Sequence, residues 1–145
     1  ALLLSFTFPV LMAFFSLTAG GVLDRFPRLR AAFLEAGSEW IPYMTGRMDH
    51  YHPVIQNIGW GAHSRKRPGE YLAEGRLYVT CEAEEPLLQQ VMELIGEDQV
   101  MIEGDMPHAE ARETGIRELS ERIDLKDHVK QKILRENALA FYRLG

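Results

Sequence analysis

The sequence predicts an α/β protein organised around a parallel sheet. Three short apolar segments are predicted strands, at residues 30–34, 77–80 and 100–103, and stretches of helical periodicity separate them. Strands that alternate with helices are typical of βα units, in which neighbouring strands run parallel. With 46% hydrophobic and 26% charged residues, the 145-residue chain has the composition of a globular domain with a substantial core.

The amino-terminal segment, residues 1–23, carries no charged side chain and has the length of a membrane span. Pro9 and the Gly20-Gly21 pair interrupt it. A secretory signal would require positive charge ahead of its apolar core, but no Lys or Arg precedes Arg25. We therefore expect a helix with Pro9 in its first turn that ends at Gly20 or Gly21. Its expected buried face comprises Leu11, Phe14, Phe15, Leu17 and Thr18, and a membrane anchor is the alternative.

Between the first two predicted strands, the pattern indicates a helix, a loop and a short helical turn. Ser38 is a candidate N-cap for the helix. The apolar positions of this helix include Trp40, Ile41, Tyr43, Met44 and Met48. Residues 51–68 are polar and rich in glycine, which predicts a loop, and residues 69–75 are expected to form a short helix or turn.

Three more helices are predicted toward the carboxyl end. Pro86 begins the first and Gly96 ends it, while residues 115–123 and 128–142 form the other two. Asp124 or Asp127 is the candidate cap of the last helix. The apolar positions of the first are Leu87, Leu88, Val91, Met92 and Ile95, and those of the last are Ile133, Leu134, Ala138, Phe141 and Tyr142.

Acidic residues follow each of the three predicted strands. Glu35 comes after the first, Glu82 after the second and Asp105 after the third. Because the carboxyl ends of parallel strands meet at one edge of a sheet, we expect these carboxylates to converge there. Converging negative charges call for a compensating cation, for which a divalent metal is the simplest choice. The alternative is that each carboxylate caps the helix that follows it.

The charge and cysteine content exclude several classes of protein. The net charge is −5 and no long basic run is present, so we expect no nucleic-acid partner. The short cluster His63-Ser64-Arg65-Lys66-Arg67 precedes Pro68 and is interpreted as a solvated loop. Cys81 is the only cysteine, which excludes an internal disulfide and agrees with a cytoplasmic location.

Three motifs together resemble a known family. They are residues 20–37 with Trp40 and Pro42, residues 95–108 with the turn Asp105-Met106-Pro107-His108, and residues 132–138 with Phe141 and Tyr142. In this order they are similar to the amidohydrolase-related family that includes aminocarboxymuconate semialdehyde decarboxylase. Met106 departs from that family's pattern, which usually has an aromatic residue at this position.

The resemblance implies a metal-dependent (β/α)8 TIM barrel, of which residues 1–145 would be the carboxyl-terminal part, a single partial domain. This part would run from helix five to the closing helices and contain strands six to eight. The family's His-x-His pair on strand one and its metal-binding His on strand five would then precede residue 1. Such a piece would expose sheet edges and apolar surface, so we expect it to self-associate as a homo-oligomer.

The resemblance also implies roles for single residues. Asp105 matches the Asp that binds a divalent metal, most simply zinc, or serves as general base. Glu35 stands where the decarboxylase branch carries a catalytic His, which favours hydrolysis over decarboxylation. His108 and Glu82 are candidate substrate-binding or metal-supporting residues, and an exposed turn is the alternative for His108.

His50 and His52 do not replace the missing His-x-His pair. They follow a predicted amphipathic helix, and alternate residues share a face only on a strand. We therefore expect the complete enzyme to be a metal-dependent hydrolase of a small carboxylated or cyclic molecule, with no membrane partner. The alternatives are a metal-dependent decarboxylase and an inactive fragment or interaction subunit that needs the missing half and binds no metal by itself.

Overall fold

The computed structural model describes residues 2–58, 64–108 and 114–144 of the chain. Within these ranges the helices are α1 (Leu2–Leu17), α2 (Val22–Arg25), α3 (Trp40–Ile58), α4 (Pro68–Ala73), α5 (Leu88–Ile95), α6 (Gly115–Glu121), α7 (Asp127–Gln131) and α8 (Asn137–Tyr142). A π-helical turn, Lys132–Glu136, joins α7 to α8. The strands are β1 (Ala31–Phe33), β2 (Leu77–Cys81) and β3 (Val100–Ile102).

The three strands form a parallel sheet in the order β1-β2-β3, which confirms the predicted α/β class. Val79 of β2 lies opposite Phe33 of β1 on one side and Val100 of β3 on the other. Every residue of β2 is buried, as is typical of a central strand with both faces covered. The carboxyl ends of all three strands therefore meet at one edge of the sheet. Their assignment to strands six to eight of a barrel stays a prediction.

Helix α1 is longer than predicted. It begins at Leu2, so Pro9 lies inside the helix and not in its first turn. Pro9 has no backbone N–H, so the helix lacks one hydrogen bond at this position. The apolar residues on both sides of Pro9 are nevertheless helical. Phe14 and Thr18 are buried as expected, while Leu11, Phe15 and Leu17 are only partly buried. Within the described ranges, no helix is both long and apolar enough to cross a membrane.

Helix α3 also extends beyond its predicted end, into the stretch predicted to be a loop. It runs to Ile58 with Pro53 in its interior. Two contacts with the segment ahead of α4 support this extension: His52 Nε2 lies 3.1 Å from Ser64 Oγ, and Gln56 Nε2 donates to the Ser64 carbonyl at 2.7 Å. His63, in the predicted basic loop, lies outside the described residues. Helix α4 confirms the predicted turn after this loop.

The predicted cap of the carboxyl-terminal helix is wrong. Lys126 occupies the N-cap position of α7, and Asp127 lies in the first turn. Asp124 instead accepts a hydrogen bond from Arg122, whose Nη2 lies 2.7 Å from Asp124 Oδ2. Tyr142, expected in the core, is exposed at the end of α8. Leu87, expected in the core as well, lies exposed ahead of α5.

Three aromatic rings hold α1 and α3 against β1. Phe14, Phe33 and Trp40 contact one another edge to face, with centroid separations of 5.3 to 5.7 Å. Such contacts add about 0.5 to 1.5 kcal/mol per pair to the free energy that burial contributes. Because Phe33 is the last residue of β1, this cluster fixes the backbone directly ahead of Glu35.

The closing helix is attached to the sheet by a buried amide. Asn137 Nδ2 donates to the carbonyls of Glu97 and Val100, both at 2.7 Å. The Val100 carbonyl belongs to β3, an edge strand, so Asn137 satisfies a backbone acceptor that the sheet leaves unpaired.

We expect Asn137→Ala to lower the free energy of unfolding by about 1 to 3 kcal/mol, because the buried Val100 carbonyl and the part-buried Glu97 carbonyl lose their donor. Urea denaturation followed by circular dichroism measures this loss. Glu136→Ala, at the exposed neighbouring position, is the matched control. Equal stability of the two variants would contradict the proposed role of Asn137.

Candidate functional site

The structure brings together three of the four residues that the sequence singled out. Glu35, after β1, meets Asp105 and His108, after β3, at the carboxyl edge of the sheet. One possible ligand atom from each of the three lies within 4.8 Å of the other two. Glu35 and His108 are exposed and Asp105 is half-buried, so a molecule in solution can reach the group.

His108 is tied to Asp105 twice. The backbone N–H of His108 donates to the Asp105 carbonyl at 3.0 Å. The side-chain Nδ1 of His108 lies 2.7 Å from Asp105 Oδ1. Both contacts lie within the four residues of the turn, so the local backbone orients the carboxylate.

The two acidic residues of the group have unusual backbone conformations. Glu35 has a φ of 64° and Asp105 a φ of 49°, in the left-handed region that side-chain-bearing residues rarely adopt. Such conformations persist only where the surroundings stabilise them, and they are frequent at functional sites. For Glu35 one stabilising contact is clear, since its N–H donates to Glu103 Oε1 at 2.7 Å.

Glu103 is a fourth acidic residue at this edge, and the sequence analysis missed it. Burial raises the pKa of its carboxyl group, and the nearby charges of Glu35 and Asp105 raise it further. Hydrogen bonds from the Thr80 side chain and the Glu35 N–H act in the opposite direction. Glu103 is the last residue of the predicted third strand, and the sequence pattern alone did not single out its carboxylate as part of the site. Its position two residues ahead of Asp105, at the strand's end, was the available signal.

Glu82 does not join this group within the described part of the chain. Its side chain is exposed, and its backbone N–H donates to Glu85 Oε1 at 2.8 Å. Glu85, only 6% exposed, is a second residue that the sequence analysis missed. Ser38, predicted as an N-cap, uses its hydroxyl to bond Glu85 Oε2.

The donor set suits a divalent metal. Two carboxylates and an imidazole match the ligand preferences of zinc and of manganese. Like-charged carboxylates at close range also favour a cation between them. Ligand atoms around such an ion lie at about 2.0 to 2.2 Å from it. The candidate ligand atoms of the three residues lie within 4.8 Å of one another, and the side chains of Glu35 and His108 are exposed. The residues present therefore fit a metal, with Asp105 at the centre of the set.

The two histidines of α3 are not part of the group formed by Glu35, Asp105 and His108. His50 and His52 lie on α3, and His52 contacts Ser64. Their helical setting agrees with the prediction that they do not form a metal-binding pair.

Solved structures with the same fold include several decarboxylases. The chain superposes on 5-carboxyvanillate decarboxylase from Sphingomonas paucimobilis with a TM-score of 0.72 and 26% identity, covering 92% of this chain and 39% of that one. A 5-carboxyvanillate decarboxylase from Novosphingobium aromaticivorans DSM 12444, complexed with manganese and a nitrobenzoic acid, matches with a TM-score of 0.78 and 24% identity. The match covers 92% of this chain and 38% of that protein.

A third match is a dihydroxybenzoic acid decarboxylase from Polaromonas sp. JS666 with bound manganese and 2-nitroresorcinol. Its TM-score is 0.74 and its identity 20%, over 92% of this chain and 40% of that one. The chain thus spans about two fifths of the length of each of these three proteins.

The family model named "Amidohydrolase" matches residues 11–144, nearly the whole chain. This match confirms the resemblance inferred from the three sequence motifs. Manganese is bound in two of the solved structures described above. The chain belongs to the amidohydrolase family.

Proposed function

We propose that this chain forms part of the active site of a metal-dependent carboxy-lyase that acts on a small aromatic or cyclic carboxylate. The observation that carries this proposal is the convergence of Glu35, Asp105 and His108 at one edge of a parallel sheet. The decarboxylases with the same fold support the choice of reaction.

In this proposal Asp105 binds the metal or accepts a proton from a reacting group, and His108 holds the Asp105 carboxylate in place through Nδ1. A divalent ion bound here would act as a Lewis acid toward a substrate oxygen. The ion is manganese by analogy with the related decarboxylases, and zinc also fits the same ligands.

In this proposal, Glu35 transfers the proton of the reaction. In decarboxylation the bond to the carboxylate carbon breaks, CO2 leaves, and the electron pair that stays on the substrate takes up a proton. Glu35, at the exposed side of the group, is the proposed relay of that proton from solvent to the substrate.

Hydrolysis is the second candidate, and one observation favours it. Glu35 replaces the His that the decarboxylase branch carries, according to the sequence resemblance. A carboxylate beside Asp105 suits removal of a proton from attacking water. The third class, an inactive chain that works only with further barrel strands, would bind metal weakly and turn over neither kind of substrate. Self-association and a cytoplasmic location remain predictions.

We expect Asp105→Asn to weaken Mn²⁺ binding to the chain by at least about tenfold, because a charged oxygen ligand becomes a neutral amide. Isothermal titration calorimetry with MnCl2 measures the affinity. Asp98→Asn makes the same change of charge at an exposed site ahead of β3, and we expect it to bind Mn²⁺ like the unsubstituted chain. Absence of Mn²⁺ binding by the unsubstituted chain would contradict the proposed metal centre.

The reaction class is tested with two substrate panels and with Mn²⁺-loaded enzyme in which this chain is joined to the rest of the barrel. We expect CO2 release from hydroxylated benzoates, and no turnover of amides or lactones of similar size. Hydrolysis of the second panel alone would replace the lyase proposal with the hydrolase. Little or no Mn²⁺ binding by the isolated chain, together with no product from either panel, would support the inactive class.

A further inference from the structure

We propose that Glu85 is a positioning residue, whose buried side chain holds the loop after β1 so that the Glu35 carboxylate lies beside Asp105. This inference rests on the proposed function, since it concerns the geometry of the same site. Glu85 itself lies in the segment between β2 and α5 and does not join the group formed by Glu35, Asp105 and His108.

Glu85 bonds both neighbouring loops at once. Its Oε1 accepts the Ser38 N–H at 2.9 Å and the Glu82 N–H at 2.8 Å. Its Oε2 accepts the Ser38 hydroxyl. Ser38 belongs to the loop after β1 and Glu82 directly follows β2, so one side chain joins the carboxyl ends of two strands. Hydrogen bonds to a carboxylate are about twice as strong as neutral ones.

Gly37 shows how closely the loop approaches this side chain. A Cβ at position 37 would lie 2.8 Å from Glu85 Oε1, and the φ of Gly37 is +62°. Only glycine fits such a contact and conformation without strain. On the other side of the residue, Trp40 Nε1 donates to the Gly37 carbonyl at 2.8 Å.

The same loop is held at its other end by Glu103. The Glu35 N–H donates to Glu103 Oε1, and the Ser38 N–H donates to Glu85 Oε1. Two carboxylates from two different strand ends thus fix backbone groups only three residues apart. Glu35 and Gly37 both have positive φ, so this short segment depends on contacts from outside it. Loss of the Glu85 contacts should therefore let Glu35 move as well.

The backbone of Glu85 is held in turn. Arg122 Nη1 donates to the carbonyls of Ala83 and Glu85, at 2.9 and 2.7 Å. The remaining guanidinium nitrogens of Arg122 bond Asp124. Glu85 is therefore presented to Ser38 from a fixed loop.

Hydrogen bonding rather than charge is the expected basis of this role. Burial raises the pKa of the Glu85 carboxyl, with a smaller contribution from the charge of Glu39, and the bonds from Ser38 and Glu82 oppose that rise. A glutamine at position 85 keeps an Oε1 that can accept both N–H groups, and its amide can donate to the Ser38 hydroxyl. Glu85→Gln is therefore the conservative variant, and Glu85→Ala removes the contacts.

Hydrogen exchange of single amides in the 145-residue chain tests the inference. In Glu85→Ala we expect exchange of the Ser38, Glu82 and Glu35 amides to accelerate at least about tenfold, because local opening becomes easier. The Val79 amide, which bonds the Gln99 carbonyl in the sheet, should stay within about twofold of the unsubstituted chain. Glu85→Gln should restore the Glu35 rate to within about threefold, and Glu93→Ala, on the exposed face of α5, is the control.

The Glu35 amide decides the outcome, because its N–H bonds Glu103 and not Glu85. An unchanged Glu35 rate in Glu85→Ala would overturn the inference, and so would a Glu85→Gln variant that behaves like Glu85→Ala. If Glu85→Ala fails to fold, Ser38→Ala takes its place, with the same pattern expected at smaller size and the same unchanged rate overturning the inference.

Metal binding separates this inference from the proposed function. Where the unsubstituted chain binds Mn²⁺, we expect Glu85→Ala to weaken the affinity about tenfold or more, as loss of supporting contacts around a metal site does. Unchanged affinity would count against the inference. If the unsubstituted chain binds no Mn²⁺, the proposed metal centre fails, and the Glu35 exchange rate still decides the role of Glu85.

Discussion

Parallel pairing of three short strands is the constraint on which the site depends. The register of β1, β2 and β3 places the residues after Phe33, Cys81 and Ile102 along one edge of the sheet. Residues far apart in sequence, such as Glu35 and Asp105, become neighbours only because of this pairing. An antiparallel arrangement would send alternate strand ends to opposite edges. The buried central strand β2 therefore matters to the site although none of its side chains joins the group that could hold a metal.

At this edge, the loops are fixed by carboxylates that serve different purposes. Glu35 is exposed and Asp105 is half-buried, and in the proposed function they bind a cation or move a proton. Glu85 is buried, and its oxygens accept hydrogen bonds from backbone and hydroxyl donors. Glu103 combines features of both kinds of carboxylate. It accepts a hydrogen bond from the Glu35 N–H, and the nearby charges of Glu35 and Asp105 raise the pKa of its carboxyl group. The carboxylates of this cluster differ in burial, in hydrogen bonding and in solvent exposure. Each is therefore stabilised in a different way, and the repulsion between their charges is tolerated.

The sequence predicted the parallel sheet, the positions of its strands to within two residues, and the meeting of Glu35 with Asp105. These features can be predicted from short stretches of sequence, because the local amino-acid composition indicates where strands end and loops begin. Glu85 and Glu103 were not predicted, since their importance comes from burial and from contacts across more than 40 positions of sequence. The predicted ends of helices were wrong for the same reason. The polar, glycine-rich composition of residues 51–68 predicts a loop, but α3 continues to Ile58, and the contacts of His52 and Gln56 with Ser64 support this part of the helix.

The proposed site requires that Glu35, Asp105 and His108 form one metal-binding edge. The most direct measurement is a crystal structure of the chain grown with Mn²⁺, with anomalous diffraction recorded at the manganese absorption edge. We predict an anomalous peak within about 2.2 Å of an Asp105 carboxylate oxygen, with Glu35 or His108 as a further ligand. A well-diffracting crystal with manganese bound only elsewhere on the chain, or with no peak at this edge, would contradict the claim.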